Sequence, residues 1–420
     1  MTDQGALSPA ERYAAARNRQ KHPLTSQFMS QYSFPLDDFQ KLACEHLEDG
    51  KSVLVAAPTG AGKTIVGEFA TFLSEHHNNR CFYTTPIKAL SNQKYQDLVK
   101  IFGESEVGLL TGDSSVNSGA RIVVMTTEVL RNMIYGDSQA ISELGYVVMD
   151  EVHYLADKFR GAVWEEILIH LPERIQVVSL SATVSNAEEF GEWLKTVRGE
   201  TEVVLSEIRP VPLYQHILIG NRLLDLFVDD GRVNPELIRL ERNSTRRIPG
   251  GEARGGNRGW QPRQFSIIKQ LSRPEVVEKL REREFLPVIY FIFSRAGCDA
   301  AVSQCIKEGI SLTNTEEKGI IRSVIARRTV DLNTEDFGVL GFYEWCQALE
   351  RGVAAHHAGL LPMFKETIEE LFQRGLLKVV FATETLALGI NMPARTVMLE
   401  KLIKWNGETH SPISQIGRAS

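Results

Sequence analysis

The sequence predicts an α/β fold of two domains, each a parallel sheet flanked by helices. Three observations lead there. Short, unbroken runs of apolar and β-branched residues recur from Ser52 with helix-length stretches between them, the pattern lapses after Pro212, and it returns at Pro287. Strands that are apolar throughout belong to sheets covered on both faces, which is the arrangement of parallel strands joined by helices. At 420 residues the chain is long enough for two or three cores at roughly 150 residues per domain.

Residues 1–25 read as a basic N-terminal extension. There Ser8-Pro9-Ala10-Glu11 has the capping residue, first-turn proline and glutamate that start a helix, expected on the surface over 9–19. Residues 26–210 form the first domain, with strands expected at 52–57, 80–84, 122–125, 146–149 and 176–180. Residues 211–286 read as a linker. It holds a flexible Gly/Arg-rich insertion, 242–263, in which Glu252 is the sole acid. Two readings of that insertion stay open: a solvated loop, or a loose arm whose arginines and Trp260 meet phosphates and base faces. Residues 287–420 form the second domain, with strands expected at 287–293, 378–382 and 397–399. Phe364, Ile368, Leu371 and Phe372 fall on one helical stripe that must face its sheet.

Composition excludes several classes. The 47 basic and 53 acidic residues give a net charge of −6, so the chain is no uniformly cationic coat, and a polyanion partner must meet a local face. The five cysteines, Cys44, Cys81, Cys298, Cys305 and Cys346, are odd in number and contain no Cys-x-x-Cys pair. That argues against a disulfide framework or a zinc cluster and for a reducing, cytoplasmic setting. The sequence has no signal-peptide core and no stretch apolar enough to span a bilayer, so no membrane association is expected.

Ala57-Pro58-Thr59-Gly60-Ala61-Gly62-Lys63-Thr64 follows the first strand and opens a helix containing Ile65, Val66, Phe69 and Phe72. In that setting the glycines let the backbone fold round phosphates, and the helix N-terminus adds N–H donors and positive potential. Lys63 is expected on the β- and γ-phosphates of ATP and the Thr64 hydroxyl on Mg²⁺. Further on, the strand over 146–149 ends in Asp150-Glu151-Val152-His153. Hydrolysis needs one carboxylate for the Mg²⁺ shell and one to deprotonate a water in line with the γ-phosphate. Asp150 suits the first role and Glu151 the second.

Asp150-Glu151-Val152-His153, with Ser181-Ala182-Thr183 after the next strand, resembles the motifs of superfamily-two helicases of the DExH type. The likeness runs from about residue 25 to the last residue. Phe34-Pro35-Leu36-Asp37-Asp38-Phe39-Gln40 resembles the segment whose glutamine reads adenine. Thr85-Pro86-Ile87-Lys88-Ala89-Leu90-Ser91-Asn92-Gln93, Gly108-Leu109-Leu110-Thr111-Gly112-Asp113 and Thr126-Thr127-Glu128 resemble strand-binding motifs. His356-His357-Ala358-Gly359-Leu360-Leu361-Pro362 and the segment from Ala382 to Ala394 are similar to the Ski-like branch, and within it to bacterial HelY-type enzymes.

The resemblance implies two RecA-like domains holding Mg-ATP between them and single-stranded nucleic acid, expected to be RNA, across them. It assigns nucleic-acid contacts to Pro86, Lys88, Asn92, Thr111, Gly112, Thr127, Glu128 and Thr383, with Thr127 also expected to cap its helix. Gly389 and Arg418 would serve the nucleotide from the second domain, while His153, Ser181 and Thr183 would couple the two sites. The adjacent pairs His76-His77 and His356-His357 lack the spacing of metal ligands.

One departure bears on activity. The family's last helicase motif runs roughly Gln-x-x-Gly-Arg-Ala-Gly-Arg, whereas this sequence has Ser414-Gln415-Ile416-Gly417-Arg418-Ala419-Ser420. The second arginine is absent, and arginines in that role are worth about 10³ to 10⁵ in rate, so weak hydrolysis is expected. HelY-like chains also continue into a winged helix and a helical bundle, which leads to the expectation of a truncated or shortened protein. Two rivals stand beside the helicase core. One is a weakly hydrolysing, ATP-dependent RNA-binding module; the other is a phosphate-loop kinase, which would need an acceptor pocket.

Overall fold

The computed structural model describes residues 17, 20–156, 161–182, 187–228, 231–244, 271–330, 332–383, 386, 392–405 and 410–412, and divides the chain into two compact units at Val211 and Pro212. Apart from Arg17, the helix expected over 9–19 lies outside the described residues. So do the insertion from residue 245 onward, Thr183, Gly389 and Arg418.

The first unit opens with α1 (Pro23–Met29) and α2 (Asp38–Glu48). Strands and helices then alternate: β1 (Ser52–Ala56), α3 (Thr64–His76), β2 (Arg80–Thr85), α4 (Lys88–Phe102), β3 (Val107–Thr111), β4 (Ser114–Val116), β5 (Ile122–Thr126) and α5 (Thr127–Tyr135). They continue with β6 (Leu144–Met149), α6 (Gly161–His170), β7 (Gln176–Ser181), α7 (Ala187–Arg198) and β8 (Thr201–Leu205). The sheet order is β4-β3-β5-β2-β6-β7-β1-β8, and every pairing is parallel except that of β4 with β3.

The unbroken apolar strands hide a two-sided alternation. Along β1, Val53 and Val55 pack with Val66 and Phe69 of α3 and Leu98 of α4. Leu54 between them points the other way, into a second core with Trp164 and Ile167 of α6 and Leu194 of α7. Trp164 is 1% exposed, so Trp164→Ala should cost about 3–5 kcal/mol, read as a lower denaturant midpoint without loss of the sheet's far-ultraviolet signal.

The second unit starts with a hairpin, β9 (His216–Ile219) and β10 (Arg222–Asp225), followed by α8 (Pro235–Ser244) and α9 (Arg273–Glu282). The stretch that reads as a linker therefore carries regular structure, and Leu218 packs against the second unit's core. Next come β11 (Val288–Phe291), α10 (Arg295–Lys307), α11 (Thr315–Arg328), α12 (Phe342–Glu350), β12 (Val353–His356), α13 (Pro362–Gln373), β13 (Val379–Ala382) and β14 (Thr396–Leu399). The hairpin β15 (Ile403–Trp405) and β16 (His410–Pro412) ends the described chain. Strands β12-β13-β11-β14 form a parallel sheet. Phe364, Ile368, Leu371 and Phe372 of α13 are all buried, as the stripe requires. Two parallel sheets flanked by helices are what the sequence predicts and what two RecA-like domains consist of.

All five cysteines are free, four of them buried. Among the described residues no helix is long and apolar enough to cross a membrane, and no group of three or more His, Cys, Asp or Glu could hold a metal ion.

Candidate functional site

The candidate site of the first unit lies where the strands of a parallel sheet end, the usual place for ligands in such folds. β1 ends at Ala56, and the loop from Ala57 to Lys63 leads into α3. Its first N–H, on Ala57, donates to the Ser181 carbonyl at the end of β7 over 3.1 Å. Gly60 and Gly62 have φ of +84° and +78°, a conformation that side chains rarely adopt. A Cβ on Gly62 would also stand 2.6 Å from Gln40 Nε2. Gly62→Ala should therefore strain the loop, weakening nucleotide binding and lowering the melting temperature, which a fluorescent-nucleotide titration beside a melt would show.

Lys63 is folded back into this loop. Its Nζ donates to the carbonyls of Ala57 at 2.7 Å and Pro58 at 3.1 Å. Burial pushes its pKa down, against the pull of the nearby Glu151 and Asp150 charges. Gln40 sits beside the glycine loop, its amide bonded within the chain. Its Nε2 donates to the carbonyls of Ala61 at 3.2 Å and Gly62 at 3.0 Å, and its Oε1 accepts from Asp37 N at 2.8 Å. Here Gln40 braces the glycine loop.

Asp150 follows β6, its N–H donating to the Thr84 carbonyl over 3.0 Å. Both carboxylate oxygens are engaged: Oδ2 accepts from the Tyr83 hydroxyl and Oδ1 from Glu151 N, each at 2.9 Å. Glu151 has φ of +56°, a strained setting for a residue with a side chain. Its Oε2 lies 3.2 Å from His153 Nδ1, and neither atom makes a well-aligned hydrogen bond. The two acids are pushed apart. Burial and the Glu151 charge raise Asp150, whereas for Glu151 burial is outweighed by the His153 ring and the Lys63 ammonium, leaving it below the ordinary value.

Asp150 and Glu151 are half-buried, so a cation could reach their carboxylates at the sheet edge. Thr64, next to Lys63, opens α3. Thr64 and Asp150 together fit the oxygen preference of Mg²⁺.

The strand-binding candidates gather at the other half of the same edge. Thr85 and Thr126 are register partners at the ends of β2 and β5, and Thr111 ends the next strand, β3. Pro86 is buried, while Lys88, Asn92 and Gly112 are exposed and Glu128 is half-buried. Lys88 Nζ pairs with Asp113 Oδ2 at 2.5 Å, and Thr111 Oγ1 donates to Asp113 Oδ1 at 3.2 Å. One expectation needs correction: Thr126, not Thr127, stands at the cap position of α5. Thr127 is buried and donates its hydroxyl to the Thr85 carbonyl at 3.0 Å, so what it can offer a strand is its backbone.

In the second unit Thr383 N donates to the His356 carbonyl over 3.3 Å. His356 and His357 face different acids, Glu369 at 2.9 Å and Asp299 at 3.0 Å, and so do not form a metal pair.

Tyr83 is the residue that the motifs do not announce. A tyrosine inside an apolar central strand must find a partner for its hydroxyl, and that is the sequence signal that could have found it.

Residues 37–190 match the DEAD/DEAH box helicase family. The chain is 56% identical over 92% of its length to the probable helicase HelY of Mycobacterium tuberculosis, covering 43% of that protein. It is 42% identical over 91% of its length to the chloroplastic DExH-box ATP-dependent RNA helicase DExH15 of Arabidopsis thaliana, covering 35% of it. It is 42% identical over 90% to superkiller complex protein 2 of Mus musculus, covering 31%. The chain thus spans less than half the length of these relatives.

Proposed function

We propose that this chain, a homologue of the DExH-type helicases of HelY and Ski kind, is the ATP-driven core of a nucleic-acid helicase or translocase acting on single-stranded RNA. One observation carries the reading: the two sets of candidate residues divide a single sheet edge. The adjacent strands β6, β7 and β1 end in Asp150-Glu151, Ser181 and the glycine loop, whereas the adjacent strands β3, β5 and β2 end in Thr111, Thr126 and Thr85-Pro86. A nucleotide on one half and a polyanion on the other would share one rigid sheet.

In this reading the backbone N–H groups from Gly60 to Thr64 receive the phosphates, and Lys63 exchanges its two carbonyl partners for phosphate oxygens. Thr64 and Asp150 would hold Mg²⁺, which neutralises charge on the transferring phosphoryl group. Glu151 takes the proton of the attacking water, and His153, 3.2 Å from its carboxylate, couples the nucleotide site onward. Pro86, Lys88, Asn92, Thr111, Gly112, Thr127 and Glu128 meet the strand. The family likeness supports the further step that Gly389 and Arg418 serve the same nucleotide from the second domain, that Thr383 meets the strand, and that Ser181 and Thr183 couple the two sites. RNA is favoured over DNA because relatives such as the Arabidopsis protein are named RNA helicases. A cytoplasmic setting is supported by the five free cysteines.

The test is the ATPase rate of the purified chain with single-stranded RNA, with DNA of the same sequence, and with neither. RNA should raise the rate several-fold. A rate indifferent to polynucleotide but raised by a small-molecule acceptor would overturn the proposal in favour of a kinase.

A further inference from the structure

Tyr83 sits on the boundary between the two halves of the sheet edge. Its strand, β2, borders β5 on the strand-binding side and β6 on the nucleotide side, and Tyr83 is the register partner of Val148. The side chain is fully buried. Its ring lies against α3 so closely that a Cβ on Gly67 would stand 2.9 Å from Cε2. Lys94, on the same helix as Lys88 and Asn92, places its ammonium 5.3 Å from the ring centroid. Beside it on α3, Glu68 is anchored by the Tyr32 hydroxyl at 2.8 Å.

The ring therefore has little freedom, and its hydroxyl ends 2.9 Å from Asp150 Oδ2. The second oxygen of that carboxylate is tied by the N–H of Glu151. Two donors from different elements fix the plane of a carboxyl group whose orientation decides whether it can serve a cation. Partners behind a metal's own ligands have this effect generally.

We propose that Tyr83 is a positioning residue for magnesium: its hydroxyl orients Asp150 from the strand that also carries the nucleic-acid motif, so that nucleotide affinity depends on Mg²⁺ through Tyr83. The inference rests on the proposed nucleotide site. It adds a residue with no direct contact to nucleotide or metal.

The experiment is a titration of the whole chain with a fluorescent ADP analogue, first in chelator and then across a Mg²⁺ series, for wild type, Tyr83→Phe and Gly67→Ala. Tyr83→Phe keeps the ring and removes only the hydroxyl, while Gly67→Ala keeps the hydroxyl and displaces the ring. Affinity in chelator should match wild type in both. The Mg²⁺ concentration giving half the gain in affinity should rise about tenfold in Tyr83→Phe, and in the same direction in Gly67→Ala. Superimposable Mg²⁺ curves for wild type and both variants would overturn the assignment and leave Tyr83 a packing residue, with the nucleotide site intact. A wild-type chain that binds no nucleotide would instead overturn the nucleotide site itself, and this assignment with it.

Discussion

Glu151→Gln should bind ATP as the unaltered chain does and hydrolyse it about 10²–10⁴-fold more slowly, the usual worth of a positioned general base. The substitution keeps shape and length, and it leaves the glycine loop and Lys63 untouched. It removes only the charge that can accept a proton. That charge is well prepared for the task. The His153 ring 3.2 Å away and the Lys63 ammonium hold Glu151 below the ordinary carboxylate value although it is partly buried. The neighbouring acid responds in the opposite sense. Glu151 is one of the two influences raising Asp150, so losing its charge should make Asp150 ionise more readily. Phosphate release under RNA stimulation, beside a fluorescent-nucleotide titration, separates the outcomes. Turnover at the wild-type rate would remove Glu151 from the mechanism. A parallel loss of affinity would mean that the side chain serves binding and not chemistry.

How much of this could be read from the residues alone depended on how far apart in the chain the interacting groups lie. The nucleotide half of the site was legible because its parts are contiguous: the loop from Ala57 to Thr64 and the pair Asp150-Glu151 each follow an apolar strand directly. Strands β1, β2, β5, β6 and β7 were visible for the same reason. β3, β8 and β12 were not. Val107–Thr111 opens on Val-Gly and reads as loop motif, Thr201–Leu205 is an edge strand with a charged residue inside it, and Val353–His356 has two alanines where bulky β-formers would signal a strand. Two consecutive threonines at the start of α5 offer the same cap chemistry, so only the backbone decides that Thr126 takes the position and Thr127 turns inward. The bracing role of Gln40 depends on carbonyls more than twenty residues away, and that of Tyr83 on a carboxylate 67 residues away. Neither distance leaves a mark on local sequence.

Lys63→Ala is the second variant for which a large effect is expected, and its argument begins with what the lysine does before nucleotide arrives. Its ammonium is buried and spends its hydrogen bonds on the carbonyls of Ala57 and Pro58. Burial already works against its charge, so the loop gains little stability from it. Removing the side chain should leave the melting temperature close to wild type. Nucleotide binding is different, because the β- and γ-phosphates bring charge beside Asp150 and Glu151, and the cation nearest to them would be gone. Breaking a buried charge pair on one side costs about 3–5 kcal/mol, which converts to a loss of affinity of at least a hundredfold. Lys63→Arg should not rescue it, since a planar guanidinium is too wide to fold back beneath a loop shaped round a single ammonium. Titration of both variants with the fluorescent analogue checks this, with circular dichroism to confirm the fold. An alanine variant that retains wild-type affinity would show that the glycine loop does not hold phosphates, and the case for an ATP-driven core would fall with it.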